Sequence, residues 1–599
     1  MANFPTLRRT SASYFPLVMI LLMLTCSNAR AQGPWTALTD TSLDYNAGVM
    51  LLLTDGSVIC LSVSESDSTG VGRLWNKLTP DSTGHYANGT WSRIAPMNDT
   101  RLYCSSQVLR SGRVYIAGGE YGSGDSTAEI YDPIADTWTH VPGIPQGFYL
   151  DDANSMMLPD GRILDNSVYN PFYNSSNLIY DPVTDSLSYN AAATCIGDAD
   201  ETIWTLQPDN SILFIDNNNF YYGDSSTERY IPALGRWIPD ANVPVAIYDT
   251  FEGECGGSAL LPDGRSFFLG STGNTAIYTP SGNTTPGSWV AGPVIPDGNG
   301  TPDAPAAMMA DGNILFAAST APFSMNPDSQ YLGPSYFYEY HYLQNTMVPV
   351  IAPGGGDSAD YPPYAFQMLD LPDGTVLFVG QGYNQYYIYT PSGPPVASGR
   401  PTISAVTQDS CTFMITGTLF NGISQGASYG DDWQMATNYP IVSIAAGGRV
   451  YYARTTNWNR YAVQTGALPD TAYFTLPWSV PNGNYSLYVS ANGISSDGFA
   501  FAYTSCTTGI KNITASQSSL SVRPNPAHGE ATLTFTTDDA GSYTIQLTDL
   551  CGRVMLSDQR IATPGTNDYT LPLTGLDRGI YIATVIQDNH SSTVKVAVE

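Results

Sequence analysis

A tight turn followed by a short apolar run recurs along most of this chain. Seven such turns occur, at intervals of 56, 49, 49, 54, 48 and 62 residues. Asp-Gly between two apolar runs is a strong hairpin signal, because glycine supplies the positive φ that the turn requires. The turns are Asp55-Gly56, Ser111-Gly112, Asp160-Gly161, Asp209-Asn210, Asp263-Gly264, Asp311-Gly312 and Asp373-Gly374. The pattern predicts seven repeats built on β-hairpins.

Each repeat also carries a third strand, such as Ala128–Pro133, and several add a fourth that begins at a tryptophan. Four strands in a period near 50 residues are typical of a kelch-type propeller blade. The last repeat stops after Tyr389 and lacks a fourth strand, whereas Gly33–Leu38 offers a spare one. Closing the ring with that strand would hide exposed edges. We predict an all-β chain that opens with a seven-bladed kelch-type β-propeller over residues 33–395.

Beyond residue 395 the period stops, and two further β units follow. Residues 396–507 hold alternating strands with the spacing of a β-sandwich, residues 508–519 form a polar linker, and residues 520–599 form a small third unit. Cys411 lies in the first strand of the second unit and Cys506 just after its last. In an oxidising compartment this pair is the disulfide that the sequence favours most.

The first 31 residues have the features of a secretory signal peptide. Arg8 and Arg9 precede the apolar stretch Tyr14–Leu24, and small residues surround a cleavage point after Ala31. A membrane anchor is the alternative, but a span needs about 20 apolar residues. Cys26 raises the possibility of a lipoprotein. We expect cleavage after Ala31, no transmembrane segment in the mature chain, and a protein that leaves the cytoplasm.

Charge narrows the choice of partners. The 599 residues carry 23 Lys and Arg against 53 Asp and Glu, a formal net charge of −30. Such a chain repels nucleic-acid phosphate and anionic lipid, so we expect neither as a partner.

The cysteines contain no CxxC spacing, which gives no support to a zinc knuckle or a thioredoxin-like site.

Several segments resemble the galactose oxidase and glyoxal oxidase group. The resemblance rests on Arg101–Ser106, Gly112–Gly119, Tyr429–Asp432, Thr437–Pro440, Gly448–Arg454 and Pro481–Leu487. It covers roughly residues 33–507. It implies a propeller followed by an early-set immunoglobulin-like domain over residues 396–507.

The same resemblance implies a copper site that this sequence does not supply. Oxidases of that group hold one copper with two histidines and two tyrosines, one of them cross-linked to a cysteine. Tyr103 and Tyr364 match the two tyrosines, but Asn46 lies where the cysteine is expected and Ala365 replaces a histidine. The segment Tyr429–Tyr439 has no histidine either. Because copper of this kind needs imidazole ligands, we expect no copper and no copper-radical oxidase activity.

The tail resembles a type IX secretion sorting domain. The matching segments are Ser521–Glu530, Leu547–Val554 and Gly575–Tyr581. An ordinary adhesive β module is the alternative. The resemblance implies that the type IX machinery exports the protein across an outer membrane to the cell surface or the medium.

The loops at the starts of the inner strands and after the second strands form one face of the predicted propeller, which we call the mouth. We expect ligand contacts there from aromatic and acidic side chains: Tyr103, Asp151, Asp152, Asp200, Glu252, Glu254 and Tyr364. Carboxylates accept hydrogen bonds from sugar hydroxyls, and aromatic faces cover the apolar faces of sugar rings. Clustered oxygens would also suit calcium. The alternative is that these acidic loops only keep a secreted protein soluble.

The sequence therefore favours a binding or adhesion protein over an enzyme. It contains no G-x-S-x-G elbow, HExxH helix or P-loop. The leading hypothesis is a secreted or cell-surface protein that engages a glycan or another extracellular ligand at the mouth. The alternative is a polysaccharide hydrolase or lyase that uses mouth carboxylates such as Glu252 and Glu254.

Overall fold

A computed structural model describes most of the chain and divides it into two compact units, Met1–Ser505 and Cys506–Glu599. The described residues are 34–64, 66, 69–151, 154–168, 177–188, 202–215, 225–249, 253–322, 331–429, 433–505, 520–537, 540–549, 554–576, 578–587 and 590–599. They are strands and loops with three short 3-10 turns: Pro296–Gly298, Pro363–Ala365 and Ala397–Gly399. The all-β prediction is confirmed. Among them, no helix has the length and apolarity to cross a membrane.

In the described part of the first unit, seven antiparallel sheets have four strands each from the repeats, and we number them 1 to 7 in chain order of their inner strands. The strands of each sheet are given from the inner one outward. Sheet 1 contains Tyr45–Leu52, Val58–Val63, Leu74–Thr79 and Thr90–Ile94, and sheet 2 contains Ser105–Val108, Val114–Ala117, Ala128–Asp132 and Thr137–His140. Sheet 3 contains Ser155–Met157, Ile163–Asp165, Leu178–Asp181 and Ser186–Ser188, and sheet 4 contains Ile203–Leu206, Ile212–Ile215, Thr227–Ile231 and Arg236–Pro239. Sheet 5 contains Ser258–Leu260, Ser266–Leu269, Thr275–Thr279 and Ser288–Ala291. Sheet 6 contains Pro305–Met308, Ile314–Thr320, Tyr336–His341 and Thr346–Val350. Sheet 7 contains Phe366–Asp370, Val376–Gly380, Tyr387–Tyr389 and Trp35–Ala37. Two short pairings accompany them: Arg101–Leu102 with Tyr121–Gly122, and Asn299–Gly300 with Ile314–Thr320.

Local sequence explains both the turns and the strands of these sheets. Gly56 has φ +76°, and the Asp55 carboxylate accepts a hydrogen bond from the Ser57 amide at 3.1 Å, as expected for an Asp-Gly hairpin. Strands such as Ile212–Ile215 are buried throughout. A neighbouring sheet packs on each of their faces, so they read as continuous apolar runs rather than as alternating ones.

The first described strand, Trp35–Ala37, completes sheet 7, as the missing fourth strand predicted. Trp35 pairs with Tyr389, and its indole N–H donates to the Ile351 carbonyl at 2.7 Å. Its ring lies 5.1 Å from Phe378 and 5.7 Å from Phe337 between centroids. From sheet 2 to sheet 7, the inner strand of each sheet contacts the inner strand of the next sheet. The inner strand of sheet 7 also contacts the inner strand of sheet 1.

Residues beyond the repeats form two further sheets of the first unit. One contains Thr402–Asp409, Thr412–Thr418, Pro469–Thr475 and Arg454–Thr456, and the other Arg449–Tyr452, Ile441–Ala446, Gly483–Ala491, Ile494–Ser495 and Phe499–Tyr503. Phe413 and Phe501 meet between them at 5.3 Å. Cys411 is disulfide-bonded, while Cys506 lies outside the described residues, so the pairing of these two cysteines stays a prediction. The immunoglobulin-like classification also stays a prediction.

A hairpin from this region enters the centre of the ring of sheets. Its strands are Gly426–Tyr429 and Trp433–Ala436. The first pairs with the inner strand of sheet 6, Ala306 opposite Ser428, and the second contacts the inner strands of sheets 1 and 2. Ser428 Oγ also accepts from the Ser258 amide at 3.2 Å. The hairpin therefore supplies hydrogen bonds to strand edges that face the axis.

The second unit is a small two-sheet structure. One sheet contains Ser521–Arg523, Glu530–Thr537 and Gly565–Pro572. The other contains Val554–Ala562, Gly541–Thr548, Gly579–Gln587 and His590–Val598. Alternate residues of Glu530–Thr537 are buried, and Leu533 and Phe535 join Ile545 in its core. The predicted linker 508–519 lies outside the described residues.

Trp35→Ala tests the closing strand of sheet 7. The change removes a 7%-exposed indole, its hydrogen bond and its edge contacts with three rings. We expect the free energy of unfolding of the first unit to fall by about 3–5 kcal/mol, measured by urea denaturation. Trp478→Ala is the control, because Trp478 is 94% exposed and its loss is expected to change stability by about 0.5 kcal/mol or less. Equal urea midpoints for the two variants would contradict the role of Trp35.

Candidate functional site

The described part of the mouth contains four of the seven predicted ligand residues. Tyr103, Asp151, Glu254 and Tyr364 precede inner strands of the ring. Asp152, Asp200 and Glu252 lie outside the described residues, so the predicted cluster of five carboxylates stays a prediction.

Glu254 and Tyr364 belong to one cluster through a third residue, Tyr331. The Tyr331 hydroxyl donates a very short hydrogen bond to Glu254 Oε1. The rings of Tyr331 and Tyr364 meet edge to face, with centroids 5.2 Å apart. Glu254 is 2% exposed and Tyr364 is half-buried. No sequence pattern singles out Tyr331, because it stands in the loop between the second and third strands of sheet 6 and outside the turn repeat.

Tyr103 and Asp151 lie on opposite sides of one loop. The Glu120 amide donates to the Tyr103 carbonyl at 3.3 Å, and the preceding Gly119 amide donates to the Leu150 carbonyl at 3.1 Å. Tyr103 has φ +52°, a backbone conformation that is uncommon for a bulky residue and recurs at functional sites. Its ring meets that of Tyr121 at 6.1 Å. Tyr121 is 49% exposed, so this part of the mouth presents an aromatic surface.

An aromatic cleft opens at the mouth end of sheet 7. Tyr361 and Tyr383, 45% and 41% exposed, meet edge to face at 5.3 Å and border a cleft of about 170 Å³. Phe366 contributes to its lining, and the exposed carboxylate of Asp360 stands beside Tyr361. The cleft thus combines two solvent-facing rings with one acceptor group.

The residues at the expected copper positions do not fit a copper site of the oxidase kind. Asn46 is 1% exposed, and its Nδ2 donates to the Gly48 carbonyl at 3.1 Å and to the Tyr386 hydroxyl at 3.2 Å. Its Oδ1 accepts from the Gly48 amide at 2.9 Å. The amide therefore links the inner strand of sheet 1 to Tyr386 beside sheet 7, and it offers no thiol to Tyr103. Ala365 is buried in the turn after Tyr364 and carries no ligand atom.

The histidines of the first unit take part in contacts elsewhere. His85 Nδ1 lies 3.0 Å from Asp373 at an Asp-Gly turn, and His341 Nε2 lies 2.8 Å from Glu339 on an outer strand. His140 is on the outer strand of sheet 2, with Nδ1 3.8 Å from Asp99. His528 and His590 belong to the second unit. With imidazole missing from the matched positions, Tyr103 and Tyr364 alone are a poor copper ligand set.

Asp99, Glu129 and His140 bring three potential metal-ligand atoms within 4.8 Å of one another. A guanidinium already provides the positive charge there, because the buried Arg101 lies 3.2 Å from Glu129 and 3.5 Å from Asp99. Arg101 Nη1 also donates to the Gly118 and Gly124 carbonyls at 2.7 Å. This cluster positions the loop that carries Tyr103 and needs no cation.

A second buried carboxyl, Asp165, joins sheets 2 and 3 near the mouth. Its oxygens accept from the Tyr115 hydroxyl at 2.7 Å and from Ser105 Oγ at 3.4 Å. Burial raises the pKa of Asp165 to about 7, although hydrogen bonds from Tyr115 and Ser105 act in the opposite direction. No sequence pattern singles out this residue, because it follows the short apolar run Ile163-Leu164 without any distinguishing motif.

Comparisons with known proteins agree with the two resemblances found in the sequence. Residues 521–599 match the family of the secretion system C-terminal sorting domain, and residues 103–145 match the kelch motif. An F-box/kelch-repeat protein of Arabidopsis thaliana is 39% identical over 59 residues, 9% of this chain and 15% of that protein. The Kelch-like protein terF of Aspergillus terreus is 25% identical over 111 residues, 18% of this chain and 22% of its own. The chain thus spans less than a quarter of either relative.

A solved structure gives the similarity in fold. It is described as a novel fungal alcohol oxidase with catalytic diversity among the AA5 family, in complex with copper. The match has a TM-score of 0.50 and 14% identity, and it covers 79% of this chain and 99% of the oxidase. The protein is therefore a kelch-type propeller with a galactose-oxidase-like fold. Its type IX sorting tail marks it for export to the cell surface or the extracellular space.

Asp165→Asn tests the buried carboxyl by its pH dependence. The folded-state pKa, about 7, lies above the ordinary value of 3.8, so the folded protein holds the proton more tightly than the unfolded chain does. This contribution to the free energy of unfolding decreases as pH rises from about 4 to about 7, by at most about 1.4 kcal/mol per pH unit. We expect the wild type to lose more stability than Asp165→Asn between pH 4 and pH 7, measured by urea denaturation. Parallel pH profiles would contradict the assignment.

Copper loading tests the fit of the oxidase site. After incubation with one equivalent of Cu(II) and dialysis, we expect no stoichiometric copper by elemental analysis and no radical absorption band. We also expect no peroxide from primary alcohols or aldehydes, because Asn46 and Ala365 replace the groups that would bind and tune the metal. Stoichiometric copper accompanied by turnover would contradict this expectation.

Proposed function

We propose that this exported protein binds glycans at the mouth of its propeller, with the aromatic cleft beside sheet 7 as the principal contact. The observation that carries the proposal is the pair Tyr361 and Tyr383, two large rings that the fold leaves over 40% exposed beside the Asp360 carboxylate. Buried rings in this molecule are explained by packing between sheets, whereas this pair is open to solvent.

The geometry of the cleft suits a sugar ring. Tyr361 and Tyr383 stand at 84° to each other, so a ligand can lie against the face of one ring and the edge of the other. Aromatic faces pack on the C–H faces of sugars, and a flanking carboxylate accepts hydroxyl hydrogen bonds. The hydroxyl of Tyr383 can also donate a hydrogen bond to a ligand, because a phenol is protonated at neutral pH.

The other mouth residues extend the same surface in this proposal. Tyr121 and Tyr103 would provide a second aromatic contact, and Asp151 stands beyond the Gly119-Glu120 loop. Glu254 is 2% exposed and bonded to Tyr331, so we assign it to holding the cluster of Tyr331 and Tyr364 rather than to direct contact with ligand. Calcium at the carboxylates remains a further hypothesis for this face.

In the same proposal the four regions divide the work of a secreted binding protein. Residues 1–31 direct export and are removed after Ala31, and residues 33–395 carry the ligand surface. Residues 396–507 support the propeller from the side opposite the mouth, and residues 520–599 act as the sorting signal after the linker 508–519.

Glycan binding can be tested with the double variant Tyr361→Ala, Tyr383→Ala. Affinity gel electrophoresis against a panel of neutral polysaccharides would identify a ligand of the wild type. Because aromatic contacts each contribute about 0.5–1.5 kcal/mol beyond the area that they bury, we expect the double variant to weaken binding by at least tenfold. Asp360→Asn, which keeps the shape of the side chain, is expected to weaken it by less.

Trp478→Ala serves as the matched control, because it removes an exposed aromatic side chain remote in sequence from the cleft. Unfolding midpoints of all variants should stay near that of the wild type. Failure of every polysaccharide to bind, or equal binding by the double variant, would contradict the proposal. Formation of new reducing ends or unsaturated products would instead favour the hydrolase or lyase alternative.

A further inference from the structure

One turn of the seven breaks the charge pattern of the repeat. In six repeats the turn carries an aspartate preceded by Thr, Pro or Ala: Thr54-Asp55, Pro159-Asp160, Pro208-Asp209, Pro262-Asp263, Ala310-Asp311 and Pro372-Asp373. The second repeat has Arg110-Ser111 at the same two positions. Ser111 thus removes the negative charge that the other turns carry, and Arg110 adds a positive charge, in a chain whose net charge is −30.

Because Ser111 stands in place of the turn aspartate, Arg113 lacks the carboxylate that pairs with the corresponding arginines of repeats 3 and 5. After the turn glycine, repeats 3 and 5 carry Arg162 and Arg265, which pair with the aspartates of their own turns at 2.7 and 2.5 Å. Arg113 occupies this position in repeat 2 and meets Ser111 Oγ instead, at 3.3 Å from its Nε. Its Nη2 donates to the Pro182 carbonyl at 3.3 Å. Within the described residues, Arg113 forms no ion pair.

Arg110 is likewise held without a carboxylate partner in the described part of the chain. Its guanidinium lies 5.1 Å over the ring of Tyr461. On the other side it lies against Gly161, where a Cβ would approach Nη2 to 2.4 Å. The Asn457 amide donates to the Arg110 carbonyl at 2.6 Å and fixes the backbone. These contacts order the guanidinium without neutralising it.

Arg110, Arg113 and Arg162 line a single cleft of about 480 Å³ on the face of the Asp-Gly turns. Its acidic lining residues are already engaged. Asp160 pairs with Arg162, and Asp181 Oδ1 accepts from the Val183 and Thr184 amides at 2.8 and 3.3 Å. The volume is that of a small-molecule site. The lining therefore holds three guanidinium groups against the two carboxylates of Asp160 and Asp181, which leaves one positive charge in excess.

We propose that this cleft is an oxyanion site, in which Arg110 and Arg113 bind a carboxylate, sulfate or phosphate group. A planar guanidinium presents paired N–H donors that match the oxygens of such groups, and the bonds are strengthened by charge. The net charge of the protein opposes this binding only weakly, because charges more than about 8 Å from the cleft are screened at physiological ionic strength. The site is separate from the aromatic cleft, which stands at the mouth end of sheet 7.

Ser111→Asp is the sharpest test, because it restores the residue that six other turns already tolerate. The new carboxylate would pair with Arg113, as Asp160 does with Arg162, and would repel an anion. We expect wild-type protein to bind an oxyanion by isothermal titration calorimetry at constant ionic strength, and Ser111→Asp to weaken binding by at least tenfold. Arg113→Gln should weaken it similarly.

Three probes distinguish the source of the oxyanion. Sodium sulfate tests the free ion, oligogalacturonate tests a carboxylate on a glycan, and chondroitin sulfate offers both groups on a polymer. Arg265→Gln is the matched control, since it occupies the equivalent position in repeat 5 and is paired with its own aspartate. Arg265→Gln should bind the oxyanion probes like the wild type. The double variant Tyr361→Ala, Tyr383→Ala should also bind them like the wild type, which would show that this site is separate from the mouth.

Absence of binding of all three probes to the wild type would overturn the proposal. Equal affinity of wild type and Ser111→Asp for a bound probe would overturn it as well, since the anion would then lie elsewhere. Binding of neutral polysaccharides should be unaffected by Ser111→Asp, so failure of either site can be recognised independently.

Discussion

The structure of the first unit depends on the hairpin that fills the axis of its ring. Seven inner strands face one another there, and each would otherwise present unpaired backbone groups to the centre. Gly426–Tyr429 pairs with the inner strand of sheet 6, and Trp433–Ala436 contacts those of sheets 1 and 2. Small residues permit this approach: a Cβ on Gly257 would come within 2.7 Å of Ser428 Oγ. The ring and the region that donates the hairpin therefore form one compact unit, Met1–Ser505.

The same region also covers much of the face that carries the Asp-Gly turns. The Tyr452 ring lies on Gly56, and its hydroxyl donates to the Gly84 carbonyl at 3.0 Å. Gln464 Nε2 donates to the Leu261 carbonyl at 2.7 Å in repeat 5. The turns on this face therefore serve packing, whereas the loops at the mouth carry the candidate site. A division of this kind lets one scaffold carry unrelated sites.

The positions that the resemblance assigns to copper binding hold a hydrogen-bonded amide and a buried alanine in this fold. Asn46 stands where the resemblance places a cysteine, and its amide makes three hydrogen bonds: two are local, to Gly48, and one reaches the Tyr386 hydroxyl beside sheet 7. A buried polar group that is fully bonded stabilises the fold, whereas an unpaired one would destabilise it. The described mouth carries exposed tyrosines and a carboxylate, namely Tyr361, Tyr383 and Asp360, which are the groups that the proposed binding of a glycan would use.

The sequence by itself determined the local features of this protein. Turn residues, the length of each apolar run and the spare strand at Trp35 depend on neighbours along the chain, so they predicted the all-β repeat and its closure. Only the tertiary structure decided which distant groups meet. Tyr331 joins Glu254 to Tyr364 across 77 and 33 residues of chain, and Arg110 reaches Tyr461 across 351. Such contacts depend on the packing of one sheet against the next and on the hairpin in the axis, and no short-range rule of turn or strand encodes them.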